Sequence, residues 1–167
     1  IRQKMGLVLQ DPFMFYVDIS SNIRMYDDTI TDKQIKDAAI FVGADKFIST
    51  LPGQYHAKVQ EGGSGFSAGE KQLISFARTI VRDPKILILD EATANVDTET
   101  EALIQKSLLK MRQNRTTIAI AHRLSTIKDA DLILVLDSGE VVERGTHDEL
   151  LKQGGRYYDL YRLQGIN

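Results

Sequence analysis

The sequence lacks cysteine, long apolar runs and any excess of basic residues. Without cysteine the chain forms neither disulfides nor thiolate metal sites, which fits a reducing compartment. No apolar stretch approaches the roughly 20 residues of a membrane-spanning helix, so we expect any contact with a membrane to be made by another part of the protein. Lys and Arg number 21 against 23 Asp and Glu, so no nucleic-acid partner is expected.

Apolar and charged residues are present in the proportions of an ordinary soluble domain. The 167 residues are 43% hydrophobic and 26% charged, enough for one domain, or most of one, with its own core. Short apolar runs alternate with helical patterns such as Thr98–Met111, which predicts an α/β domain with a mainly parallel sheet. The predicted strands are Lys85–Asp90, Thr116–Ala121 and Leu132–Leu136, followed by a turn and an antiparallel return over Glu140–Arg144.

Three capping boxes predict where helices begin. Each places Thr or Ser three residues before Glu or Gln, so that side chains and backbone amides satisfy each other in the first turn. Stop signals follow each of them: Gly43, then Asp83 before a proline, then Gly154. The boxes are Thr31–Gln34, Ser67–Glu70 and Thr146–Glu149.

The strongest chemical signal is the pair of carboxylates, Asp90 and Glu91, that follows a buried strand. In an open α/β sheet, ligands bind at the carboxyl ends of the strands. One carboxylate there suits Mg²⁺, and a second suits the orientation or deprotonation of an attacking water. The alternative is an acidic strand end in a solvated turn.

The helix that begins after Ser67 is a candidate phosphate site. Its N-terminus offers free N–H groups, and small Ala68 and Gly69 would allow an anion to come close. The alternative is that Ser67 and Glu70 merely cap the helix. The glycine-rich run before Lys71 does not fit a phosphate loop of the form G-x-x-x-x-G-K-[ST], and no apolar strand precedes it.

Two further polar residues follow apolar runs. His122 comes straight after Thr116–Ala121, where its side chain would reach a phosphate or a reacting water, and Gln10 follows Gly6–Leu9. For a lone His or Gln the alternative is an ordinary surface position.

In this order the motifs resemble those of the ATP-binding-cassette (ABC) ATPases, and most closely the exporter type. The resemblance covers essentially the whole chain and, as an ordered set, is specific. The matching segments are Val8–Pro12 for the Q-loop, Phe66–Glu70 for the signature, Ile86–Glu91 for Walker B and the catalytic Glu, Ala94–Asp97 for the D-loop, Ala121–Thr126 for the switch His, and Gly139–Leu150 for the exporter tail.

The resemblance implies a fold and a division of the chain. The fold is a partial RecA-like P-loop NTPase core with a mainly parallel sheet and an α-helical signature subdomain. Residues 1–10 would be the end of a core strand and the Q-loop, residues 11–83 the helical subdomain with the signature, and residues 84–167 the C-terminal part of the core.

The resemblance also implies roles toward ATP and Mg²⁺. Asp90 would order Mg²⁺ and its waters, and Gln10 would sense the metal and relay to the membrane domain. Glu91 would polarise the hydrolytic water and His122 would contact the γ-phosphate.

Family domains form head-to-tail dimers. The signature residues Ser67, Ala68, Gly69 and Glu70 would therefore contact nucleotide bound by a second nucleotide-binding domain, and Asp97 would lie at the dimer interface. The other implied partners are the transmembrane domains of a transporter, at the cytoplasmic face of the cell membrane. Glu61 fits the loop that exporters use to contact those domains.

Two departures from the family pattern shape the expectations. The base-stacking aromatic and the Walker A loop lie upstream of the Q-loop in the family, so we expect this chain to be a C-terminal piece that binds ATP poorly and hydrolyses none alone. In the signature, Ala68 replaces Gly, and Glu70 replaces Gln and adds a charge that repels a phosphate. With Glu91 and His122 intact, this pattern resembles one half of a heterodimeric exporter with one weak and one strong site.

The function implied by the resemblance is ATP hydrolysis that powers export of an unidentified, drug-like or lipid-like substrate. One alternative is a soluble ATPase of the same superfamily, acting in DNA repair or translation. Another is a non-catalytic interaction module, because a piece of a folding unit exposes apolar surface and an unpaired sheet edge, and would associate.

Overall fold

The computed structural model describes residues 4–90, 98–121 and 124–164. The chain divides into two compact units, residues 1–120 and residues 121–167. In the described part, no helix is both long and apolar enough to cross a membrane. The boundaries 1–10, 11–83 and 84–167 implied by the family resemblance stay a prediction.

A three-stranded parallel sheet organises the first unit. Strands β1 (Met5–Val8), β2 (Ile86–Asp90) and β3 (Thr116–Ile120) lie in that order. Val8 is paired with Leu89, and Asp90 with Ile120, so the three strands end at one edge. The predicted α/β fold with a parallel sheet is confirmed.

The helices of this unit begin where the capping boxes predict. In α2 (Asp32–Val42), Thr31 and Gln34 satisfy each other's backbone amides, and Gly43 ends the helix with φ +81°. Ser67 and Glu70 do the same for α4 (Ala68–Ile80). The other helices are α1 (Ile19–Arg24), α3 (Asp45–Ile48) and α5 (Thr98–Arg112).

Helix α4 is the centre of the core of the first unit. It contacts β1, α1, α2 and α5, and most of its residues from Gly69 to Ile80 are buried. Among the described residues, one face of the sheet packs into this core and the other is left open: Val8, Leu87 and Leu89 are buried, whereas Leu7, Ile118 and Ile120 remain about half exposed. The alternation of side chains along a strand explains this difference, because neighbours in sequence point to opposite faces.

In the described residues of the second unit, a short 3-10 turn (Leu124–Thr126) precedes a hairpin and two helices. Strand β4 (Ile133–Asp137) pairs antiparallel with β5 (Glu140–Gly145), as the turn signal predicts. The third capping box opens α6 (His147–Gln153), and Gly154 ends it with φ +65°. The sequence prediction did not include α7 (Arg156–Leu163), whose first two amides donate to the Glu143 carboxylate.

Candidate functional site

The carboxyl edge of the sheet holds two of the predicted site residues. Asp90 is the last residue of β2 and is half-buried, and Gln10 follows β1 by two residues and is exposed. Because β1 and β2 are parallel and Val8 is paired with Leu89, both residues leave the sheet on the same side. The parallel register thus puts Gln10 and Asp90 at the same edge of the sheet, and their roles stay predictions.

Three other predicted residues, Glu91, Asp97 and His122, lie outside the described residues. In sequence, Glu91 follows Asp90 directly, and His122 follows the end of β3 at Ile120 by two residues. Their roles stay predictions.

At the N-terminus of α4, Ser67 and Glu70 form a complete capping box. The Ser67 hydroxyl accepts the Glu70 amide at 3.1 Å, and the Glu70 carboxylate accepts the Ser67 amide at 2.8 Å. Ser67 and Ala68 are nevertheless exposed, and N–H groups in the first turn of a helix have no intrahelical acceptor. An anion approaching this end therefore meets both the helix dipole and the Glu70 carboxylate.

The glycine-rich run before α4 is a tight turn folded against that helix. The Lys71 ammonium donates to the Gly62 carbonyl at 3.0 Å, so this lysine is directed at the turn. Gly63 has φ +72°, and a Cβ there would lie 2.9 Å from Lys71 Cε and 3.0 Å from Met14 Cγ. This arrangement agrees with the exclusion of a phosphate loop at this run.

Side chains of α4 hold the backbone on both sides of Gln10. The Thr79 hydroxyl lies 3.1 Å from the Leu7 carbonyl, and the Gln72 amide donates to the Leu9 carbonyl at 3.5 Å. On the other side, the Arg78 guanidinium donates to the Phe13 carbonyl at 3.0 Å. One helix thus holds the chain before and after the predicted metal-sensing residue.

Arg78 is also linked to this segment indirectly, by way of a buried asparagine, Asn22. Its guanidinium donates to the Asn22 backbone carbonyl at 2.8 Å and to the Asn22 side-chain oxygen at 3.1 Å. Asn22, which is fully buried, accepts the Phe15 amide at 2.9 Å and donates to the Phe15 carbonyl at 3.0 Å. Burial and the nearby Arg82 lower the pKa of Arg78. Sequence reasoning missed this residue, and its one signal is a charge inside the apolar run 73–81.

A shallow groove lies beside this segment. Phe13, Met14, Tyr16, Glu61 and Gly62 line it. Phe13 is 63% and Tyr16 is 75% exposed, which is unusual for large aromatic side chains. The Phe13 and Phe15 rings meet edge to face with their centroids 5.0 Å apart.

A family model described as ABC transporter matches residues 1–94. The chain belongs to the ABC transporter family.

Relatives from several bacteria match nearly the whole chain. The putative ABC transporter ATP-binding protein exp8 of Streptococcus pneumoniae is 60% identical over 98% of this chain and 28% of its own length. The probable multidrug resistance ABC transporter ATP-binding/permease protein YheH of Bacillus subtilis is 56% identical over 98% of this chain and 24% of its own. A fatty acid ABC transporter ATP-binding/permease protein of Mycobacterium tuberculosis is 47% identical over 97% and 26%. The chain spans about a quarter of the length of these relatives.

A solved structure agrees with these relatives. A bacterial Atm1-family ABC exporter with ATP bound superposes with a TM-score of 0.88 at 42% identity, over 99% of this chain and 29% of that one. The predicted family, its exporter type and the nucleotide-binding fold are confirmed.

Two of the residues present, Asp90 and Gln10, fit the Mg²⁺ that the ABC transporter family implies. Asp90 and Gln10 offer carboxylate and amide oxygens, which are the hard ligands that Mg²⁺ prefers. Among the described residues no group of three His, Cys, Asp or Glu could hold a metal ion.

Proposed function

We propose that this chain is the nucleotide-binding part of an ABC exporter, in which ATP hydrolysis drives transport across a membrane. The observation that carries the proposal is the parallel register that brings Gln10 and Asp90 to one edge of the sheet, next in sequence to Glu91. The identity of 47% to 60% to ABC transporter ATP-binding proteins supports it.

Each site residue has a proposed task. Bound Mg-ATP supplies the phosphoanhydride bond whose hydrolysis releases energy. Asp90 would hold the Mg²⁺ ion and its waters, and Gln10 would contact that ion from the adjacent strand. Glu91 orients and polarises the attacking water, and His122 donates to the γ-phosphate.

One proposed partner is a second nucleotide-binding domain. Ser67, Ala68 and Gly69 at the start of α4 would contact the nucleotide held by that domain, and Asp97 would line the interface. Glu70 places a carboxylate at this end of the helix. We propose that this signature completes the weaker of two ATP sites in a heterodimer, because the carboxylate repels the γ-phosphate.

The other proposed partner is the transmembrane part of the transporter, at the cytoplasmic face of the membrane. The groove lined by Phe13, Tyr16 and Glu61 supports it, since exposed aromatic side chains such as Phe13 and Tyr16 are enriched at protein interfaces. Two of the relatives combine ATP-binding and permease parts in one chain, according to their names. Those names mention multidrug resistance and fatty acid, and we propose apolar or amphipathic small molecules as the cargo class.

We also propose that the 167 residues alone bind ATP weakly and do not hydrolyse it. They contain no G-x-x-x-x-G-K-[ST] pattern, which in P-loop proteins holds the β- and γ-phosphates. Calorimetric titration of the purified chain with Mg-ATP tests this. Binding tighter than about 100 μM, or roughly −5.5 kcal/mol, would overturn it.

The decisive experiment uses the full-length protein that contains this chain, reconstituted in lipid. We expect Mg²⁺-dependent ATPase activity that falls by about 100-fold or more in Glu91→Gln, because the water loses its general base. Glu140→Gln, which removes an exposed carboxylate from β5, is the matched control and should retain the wild-type rate. Full activity in Glu91→Gln would refute the proposed role.

A further inference from the structure

The segment that carries Gln10 is held by an unusual arrangement of backbone acceptors. Arg78 donates to the carbonyls of Phe13 and Asn22 and to the Asn22 side chain, three acceptors within 3.1 Å of one guanidinium. The same guanidinium lies over the Phe15 ring, 5.7 Å from its centroid. A planar fork with five donors suits this set, whereas a lysine ammonium is a point charge that cannot satisfy all three at once.

The arrangement restricts Gln10 from both sides. The Leu9 carbonyl before it accepts from Gln72 and the Phe13 carbonyl after it accepts from Arg78, and both donors belong to α4. Only residues 10 to 12 lie between the two anchors. Gln10 therefore cannot move far relative to α4 unless the bonds of Arg78 or Gln72 break.

The other end of α4 is the Ser67–Glu70 capping box, the proposed contact with the second domain's nucleotide. We propose that Arg78 is a positioning residue that fixes the backbone after Gln10 and so couples Gln10 to the signature end of α4. Its effect on turnover rests on the proposed function, whereas its effect on the order of the segment does not.

The test compares Arg78→Lys with Arg82→Lys in the full-length protein. Arg82 lies four residues further along the chain, just past the end of α4, and its guanidinium donates instead to the carbonyls of Arg24 and Arg78. It is thus a matched control that retains the Phe13 anchor. Hydrogen exchange of peptides that cover residues 9–17, without nucleotide, should be about tenfold or more faster in Arg78→Lys and unchanged in Arg82→Lys.

Turnover supplies the second readout. Because Arg78 acts through Gln10 and not on ATP, Arg78→Lys should lower kcat by about tenfold or more, as expected for a misplaced site residue. It should also raise the Mg²⁺ concentration for half-maximal rate, while KM for ATP stays near the wild-type value. Arg82→Lys should change none of these.

Each negative result has a distinct meaning. Wild-type exchange in Arg78→Lys would overturn the anchoring, and faster exchange with unchanged kcat and Mg²⁺ dependence would overturn the coupling to the reaction. A wild-type protein without Mg²⁺-dependent turnover would overturn the proposed function, while the exchange data would still decide the anchoring.

A measurement on the unaltered protein covers the case in which Arg78→Lys does not fold. In native-state hydrogen exchange across a denaturant series, residues 9–17 and α4 should lose protection together as one cooperative unit. A segment that opens at much lower denaturant than α4 would overturn the proposal.

Discussion

Glu70 places a full negative charge at the end of α4 where a phosphate would approach. Its carboxylate accepts the Ser67 amide, a bond that a glutamine oxygen makes equally well. Glu70→Gln should therefore retain the cap, lose about 0.3–1 kcal/mol of charge–dipole stabilisation, and raise the ATP affinity of the full-length protein about fivefold.

The chain offers a matched control for this substitution. Glu149 forms the same capping box with Thr146 at the start of α6, a helix with no predicted site residue. Glu149→Gln should leave nucleotide affinity unchanged in an equilibrium binding assay. An equal change in both variants, or no gain in Glu70→Gln, would contradict the proposed repulsion.

Arg115 joins two turns of the first unit, and its loss should lower stability. Its guanidinium donates to the carbonyls of Pro84 and Met111 and to the Asp83 carboxylate at 2.8–3.1 Å. Arg115→Ala leaves these acceptors without their donor and should lower the free energy of unfolding by about 1–3 kcal/mol in urea titrations. Lys85→Ala, which removes only an exposed partner of Asp83, should cost less than about 1 kcal/mol.

The ion pair between Arg115 and Asp83 predicts that the free energy of unfolding depends on pH. Hydrogen bonds from Arg115 and Lys85 hold the pKa of Asp83 below its usual value. Such a group contributes stability above its unfolded pKa of about 3.9, and this contribution is lost as the pH falls through the lower folded pKa. The free energy of unfolding of Arg115→Ala should therefore fall less than that of wild type between neutral and acid pH. Equal falls in the two proteins would contradict the attribution of the lowered Asp83 pKa to Arg115.

At the scale of elements, β1 and α4 approach each other at a glycine. A Cβ on Gly6 would lie 2.6 Å from Thr79 Cγ2 and 2.9 Å from Pro84 Cγ. Gly6→Ala should therefore destabilise the fold by about 1–3 kcal/mol through overpacking. Thr79→Ser removes the methyl group and keeps the hydroxyl that contacts Leu7, so Gly6→Ala with Thr79→Ser should recover part of the loss. Strict additivity in this double-mutant cycle would contradict the contact.

The elements that the sequence predicted correctly are those determined by local chemistry. All three capping boxes form, because each needs only residues within one turn. Helix α1 was not predicted, since Ser20, Ser21 and Asn22 are poor helix formers and Asn22 serves a tertiary contact. Helix α7 was missed because its amides are capped by Glu143, 13 residues away.

The residues of the candidate site likewise divide into those that a local sequence pattern reveals and those that depend on distant contacts. Strand ends follow from hydrophobic pattern, so the sequence places Gln10 and Asp90 each at the end of an apolar run, and the parallel register then brings both to one edge. The role of Arg78 depends on acceptors more than 50 residues distant, and no local pattern contains that information.

At the scale of the whole molecule, one face of the sheet predicts association. Leu7, Ile118 and Ile120 are 53%, 54% and 55% exposed on this face. We expect the 167-residue chain alone to self-associate at micromolar to millimolar concentration, as measured by sedimentation velocity. Ile118→Lys should weaken the association, whereas Leu163→Lys on α7 should not. A chain that remains monomeric would contradict this expectation.

The order in which the strands leave the ribosome has a consequence for synthesis. Of the three described strands of this sheet, β1 is made first, yet Leu7 pairs with Ile88, and the Leu7 carbonyl accepts from Thr79, 72 residues later. At 5–20 residues per second, roughly 4–16 s pass between the synthesis of Leu7 and that of its partners. During that interval the apolar residues of β1 lack these two partners, and nascent-chain chaperones can bind them.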